Sequence, residues 1–167
     1  MVDALNVPDS KLLFIVEDYE DDAKLLQMLL TKGGIFNPVR VALSAEEAMT
    51  YLEGVPPYSN RALYPLPSVI FVDLKLPGMN GFELLRWLKA RPELRNIFLV
   101  ILSATGDLVS VQAAYDLGAN SFLIKPCQPA DLENLVICYP NFWTRTLPPQ
   151  IPQHTGGHPP VTPPPTA

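Results

Sequence analysis

Five short apolar runs recur along the chain, at residues 12–16, 39–43, 69–72, 97–102 and 121–124. Each is far too short to cross a bilayer, and their Val, Ile, Leu and Phe content suits strands buried on both faces of a sheet. Between them lie stretches with helical periodicity at 21–32, 45–53, 81–90, 108–117 and 131–138; in the first, Leu25, Leu26, Leu29 and Leu30 share one face. Ser44 followed by Glu47 predicts a capping box at the second helix, hydroxyl and carboxylate each satisfying an orphaned backbone donor. Gly33 with Gly34 and Gly118 stop the first and fourth helices, and Pro140 forbids continuation of the fifth.

Strands alternating with helices imply a parallel sheet, because parallel neighbours need crossover connections and those crossovers are right-handed. The expected architecture is a doubly wound α/β domain. In such sheets the working crevice lies beyond the carboxyl ends of the strands. The residues that follow the apolar runs are Glu17 and Asp18, then Asp73, then Ser103 and Ala104, then Lys125 and Pro126. Three carboxylates in one crevice repel one another and call for positive charge. Lys125 and a divalent cation supply it, and hard oxygen ligands with room for water suit Mg2+, with Mn2+ as the substitute. Taken singly, an acid after a strand is often only a helix cap and a lysine only an exposed strand end. It is the coincidence of positions that carries chemistry. Glu20, Asp21 and Asp22 extend the acidic run and read as surface groups that favour the start of a helix.

The chain has 167 residues, the size of one domain with an appendage, and its 48% apolar and 17% charged content excludes wholesale disorder. A net charge of −5 argues against nucleic acid as a direct partner. Residues 1–10 read as an N-terminal extension, and Met1 to Asp9 lack the basic start and apolar core of a secretory signal, so a cytoplasmic protein without membrane contact is expected. Cys127 and Cys138 do not make a disulfide framework and read as buried free thiols. Of the 19 prolines, eight fall in residues 144–167, which therefore read as a polyproline-like or flexible tail that carries His154 and His158 away from any buried site. The foldable domain is expected to span 11–143.

The strand-end segments then resemble a family. Phe14-Ile15-Val16-Glu17-Asp18, the run from Val69 through Asp73 to Leu74-Lys75-Leu76-Pro77-Gly78-Met79-Asn80-Gly81, Ile101-Leu102-Ser103-Ala104, and Gly118 through Lys125-Pro126 are similar to the signature segments of two-component response-regulator receiver domains. The resemblance covers about residues 11–139, in family order and spacing. It implies a flavodoxin-like five-stranded parallel sheet of order 2-1-3-4-5. It further implies that Asp73 accepts a phosphoryl group from a sensor histidine kinase or phosphotransfer protein. Glu17, Asp18, Asp73 and the backbone carbonyl of Lys75 are then the metal ligands, and Ser103, the Ala104 backbone and Lys125 the phosphoryl contacts. Ser103 and Phe122 are the implied switch, and the Lys125–Pro126 bond is implied to be cis. Such a protein is a signalling module rather than an enzyme, working through phosphorylation-dependent protein contacts.

Two departures stand out: Glu17 where Asp is commoner, and Ser103 where Thr is commoner. Neither removes a needed oxygen. A hydrolase of the haloacid-dehalogenase type also forms an aspartyl phosphate at a strand end, but needs an acid two residues further on, where Lys75 stands. A receiver-shaped module that is never phosphorylated is the other alternative, though such modules usually lack one of the acidic or Lys positions. The few proline-rich residues after Cys138 leave no room for an output domain, so a stand-alone receiver is expected. The connection 53–67, with Tyr58, Arg61 and Tyr64, and the segment 139–143 are similar to single-domain regulators paired with bacterial phytochrome kinases. Phe142 and Trp143 are either anchors of a homodimer formed through the last helices or part of the protein's own core.

Overall fold

The computed structural model describes residues 11–145. The extension 1–10 and the tail from 146, with His154 and His158, lie outside the described residues. Five strands, β1 (Leu13–Val16), β2 (Val39–Ala42), β3 (Val69–Asp73), β4 (Phe98–Ser103) and β5 (Ser121–Ile124), alternate with α1 (Glu20–Lys32), α2 (Ala45–Glu53), α3 (Gly81–Lys89), α4 (Leu108–Asp116) and α5 (Pro129–Cys138). All pairings are parallel and the order is β2-β1-β3-β4-β5, as expected. Among the described residues no helix is long and apolar enough to cross a membrane.

The central strands are buried at every position because alternate side chains enter two different cores. On one face Phe14, Val16, Ile70, Val72 and Ile101 pack with Ala48, Leu52, Leu84 and Leu88 of α2 and α3. On the other Leu13, Ile15, Phe71 and Val100 pack with Leu26 and Leu30 of α1 and Leu132 and Leu135 of α5. Each covered face removes apolar surface from water at roughly 25 cal/mol per Å2, and this burial fixes which side chains are left to point out of the sheet's carboxyl end.

Several local expectations shift. Ser44 accepts from the Glu47 N–H at 3.0 Å, but the Glu47 carboxylate reaches past it to the Leu43 N–H at 2.8 Å, so the predicted box is displaced by one residue. A reciprocal box forms instead at α3, where Asn80 and Glu83 cap each other's backbone at 3.0 and 2.8 Å. Helix α5 begins at Pro129 rather than 131, since proline is preorganised for a first helical position. Thr144 and Arg145, expected in the tail, also pair with the domain. The Phe36 N–H donates to Thr144 O at 2.8 Å, Asn37 accepts from the Thr144 N–H at 2.6 Å, and Ile35 bridges Arg145. These bonds anchor Trp143, only 4% exposed, against the α1/α5 face, with its ring 6.4 Å from that of Phe71. Phe142 stacks on Phe98 at 4.9 Å. Of the two readings of this pair, packing on the protein's own core is the one found. Cys127 is half-buried, whereas Cys138, expected to be buried, is exposed.

The connection 54–67 is held by Arg61, whose guanidinium donates to the carbonyls of Tyr51 (2.9 Å), Leu52 (2.6 Å) and Tyr64 (3.2 Å). It thereby caps the Leu52 carbonyl in the last turn of α2 and shares that of Tyr51 with the Gly54 N–H.

Candidate functional site

Register alone brings the acidic residues together. Val16 pairs with Val72 across β1 and β3, so Glu17, the next residue of one strand, lies beside Asp73, the last of the other. Ser103 pairs with Ile124 across β4 and β5, which delivers Lys125 to the same edge. Carboxylate oxygens of Glu17, Asp18 and Asp73 lie within 4.8 Å of one another. Glu17 and Asp73 are buried and Asp18 is exposed, so the cluster opens to solvent on one side.

Lys125 reaches into this cluster. Its Nζ donates to Glu17 Oε2 at 2.7 Å, to Asp73 Oδ2 at 2.9 Å and to Asp22 Oδ2 at 2.9 Å, using all three ammonium hydrogens. The other oxygen of Asp73 accepts from the Lys75 N–H at 3.0 Å, and Glu17 Oε1 accepts from the Tyr19 N–H at 3.1 Å. Burial pushes the Glu17 carboxyl up to about 7; the Lys125 bond opposes this, and the charge of Asp73 adds to it. Burial by itself depresses the Lys125 ammonium, yet its bonds to Glu17, Asp22 and Asp73 hold it above the usual lysine range.

The loop after Asp73 is shaped to let it approach. Gly78 sits at φ 72°, in the left-handed region. A Cβ on Gly81 would stand 2.5 Å from Asp73 O and 2.8 Å from Leu74 Cα, so only glycine lets the start of α3 press against the backbone of Asp73. Ser103 is buried and its hydroxyl accepts from the Thr105 N–H at 3.2 Å; Ala104 is exposed beside it. Lys75, Ser103 and Thr105 line one open cleft. Phe122 is partly buried against the α2/α3 core, opposite Ile101 in the register. The Lys125–Pro126 bond is cis.

Asp22 lies on the first turn of α1 with a half-exposed side chain, as expected, but it carries a contact the sequence did not reveal. Beside its place at the helix start with Glu20 and Asp21, it bonds Lys125 across more than a hundred residues of chain. One signal was available: Asp22 precedes Leu26 by one helical repeat, and Leu26 belongs to the buried face of α1.

A two-faced parallel sheet with an acidic cluster and a lysine at its carboxyl edge defines a signalling domain of known kind. The family profile of the response regulator receiver domain matches residues 13–137, and the chain belongs to that family, whose members are generally signalling proteins rather than enzymes. Among its relatives is the response regulator Rcp1 of Synechocystis, 32% identical over 147 residues that cover 88% of this chain and 97% of that one. The crystal structure of the Mn2+-bound form of Rcp1 superposes with a TM-score of 0.65, at 32% identity, covering 82% of this chain and 98% of the other. The phosphorylated cyanobacterial phytochrome response regulator RcpA superposes with a TM-score of 0.66, at 31% identity, covering 79% and 92%.

Proposed function

We propose that this protein relays a phosphoryl group, with Asp73 as acceptor and the phosphohistidine of a sensor kinase as donor. The observation that carries the reading is the position of Lys125 Nζ, 2.9 Å from Asp73 Oδ2 beside the three clustered carboxylates. The likeness to the cyanobacterial phytochrome response regulator RcpA supports a kinase of the phytochrome kind as the partner.

An all-oxygen donor set open to water on one side fits a divalent cation, Mg2+ in preference and Mn2+ in its place. Glu17, Asp18, Asp73 and the Lys75 carbonyl are the residues that would hold it. When bound, the cation offsets the negative charge of the carboxylates and of the incoming phosphoryl oxygens. The remaining chemistry belongs to the chain. An Asp73 carboxylate oxygen attacks phosphorus, an O–P bond forms, the N–P bond of the donor breaks, and the departing imidazole keeps the electron pair. Asp73 needs no base, because a carboxylate oxygen attacks without giving up a proton. Lys125 stays beside the acceptor, and its charge turns to a phosphoryl oxygen as the acyl phosphate forms. The Ser103 hydroxyl accepts from the Thr105 N–H and keeps its own hydrogen to donate to a phosphoryl oxygen, next to the N–H of Ala104. Movement of Ser103 toward the new anion vacates space for Phe122 to turn inward, which transmits the change to the outer surface of β5.

Incubation with acetyl phosphate and Mg2+, followed by intact mass, tests the reading. One phosphoryl adduct is expected on the wild type and none on Asp73→Asn. An unmodified wild type, or equal labelling of the variant, overturns it in favour of an unphosphorylated interaction module.

A further inference from the structure

Asp22 stands outside the cluster of oxygens suited to a cation, yet it holds one of the three hydrogens of Lys125. The other two are held by Glu17 and Asp73, which belong to that cluster. The ammonium therefore holds one oxygen each of two residues that a divalent cation needs, and a cation that takes those two oxygens displaces it. A charged amine pushed from two carboxylates without a third is left desolvated and uncompensated. Asp22 is well placed to receive it. It sits on the first turn of α1, is fixed by the buried Ala23 and Leu26 beside it, and its side chain is 42% exposed, so solvent can complete its hydration.

We propose that Asp22 is a positioning residue that receives the Lys125 ammonium when a divalent cation enters, so that cation and lysine share the site instead of excluding one another. This rests on the reading of the acidic cluster as a cation site and adds to it a residue through which cation affinity is set. Asp22 touches neither the cation oxygens nor the acceptor, and acts through Lys125. Without it the ammonium stays on Glu17 and Asp73 and competes.

Mg2+ binding to the full chain, measured by calorimetry without any phosphodonor, tests this. Asp22→Asn keeps the shape and removes the charge. Asp21→Asn removes the same charge from the same exposed helix turn and is not a partner of Lys125, so it measures the general field alone. The expected result is about three- to five-fold weaker Mg2+ binding in Asp22→Asn, the range of a partly exposed ion pair, and a distinctly smaller change in Asp21→Asn. In a Lys125→Met background, where no ammonium needs a berth, Asp22→Asn should lose its excess over Asp21→Asn. Equal effects of the two asparagine variants, or an Asp22→Asn effect that persists undiminished in the Lys125→Met background, overturn the proposal while leaving the cation site standing. A wild type that binds no Mg2+ overturns both. Circular dichroism and a melting curve on each variant confirm that the comparison is between folded proteins.

Discussion

Replacing Lys125 by methionine keeps most of the side chain's volume and removes its charge, so the loss can be traced to electrostatics. In the metal-free protein, Glu17 and Asp73 side chains are 2% and 6% exposed, and both depend on Nζ for charge compensation. Removing one partner of a buried ion pair costs about 3–5 kcal/mol because the survivors stay buried and unpaired. Lys125 itself is 19% exposed and Asp22 can return to water, which places the expected cost at the lower edge, about 3 kcal/mol. For a domain of this size that corresponds to a drop in Tm of roughly 10 °C. The experiment is thermal and urea unfolding of wild type and Lys125→Met at pH 7.5 in EDTA, repeated in millimolar Mg2+. The gap should narrow in Mg2+, because a cation that binds only the folded state stabilises it by mass action and the variant offers the cation uncontested carboxylates. Equal stability of the two proteins in EDTA, or a gap indifferent to Mg2+, refutes the claim that Lys125 and the cation neutralise the same oxygens.

Glu17 gives a pH signature in the metal-free protein. Its carboxyl is raised in the folded state to about 7 from an ordinary 4.5, so the folded protein retains a proton that the unfolded chain releases. The resulting stabilisation is complete below about pH 4.5 and is lost as pH rises through about 7; Glu17→Gln should lack this slope, and identical pH-stability profiles would exclude it. Gly81→Ala forces a Cβ into the Asp73 and Leu74 backbone, and about 1–3 kcal/mol of destabilisation in urea is expected together with slower phosphoryl uptake; unaltered values of both would show that the loop yields without cost. Trp143→Ala empties a buried site between α1, α5 and β3, at an expected cost of about 3–5 kcal/mol in chemical unfolding. A loss under about 1 kcal/mol would mean that the segment 139–145 contributes little to the core.

How much of this was legible in advance depends on the distance over which each feature is decided. The apolar runs carry the strands because a strand buried on both faces has no polar alternation to hide it, and the segments around Asp73 and Lys125 are local motifs with fixed spacing. Hence Glu17, Asp18, Asp73, Ser103 and Lys125 were each marked by a position at the end of a run. The displaced cap at Leu43 was not legible, since Ser44 and Glu47 are compatible with either donor, and the choice depends on how the turn enters α2. Nor was the continuation to Arg145, where composition pointed to a tail but pairing with residues 35–37 supplies the hydrogen bonds that hold it.

The sheet, its helical covering and the identity of the groups at its carboxyl edge follow from the order of residues, because hydrophobic period and turn chemistry act over a few residues. Tertiary structure alone decided that Lys125 meets Asp22 as well as Glu17 and Asp73, and that Trp143 turns inward onto Phe71. Those contacts join residues far apart in the chain, and their partners are chosen by how α1 and α5 lie together on one face of the sheet, a relation that no local pattern of side chains encodes.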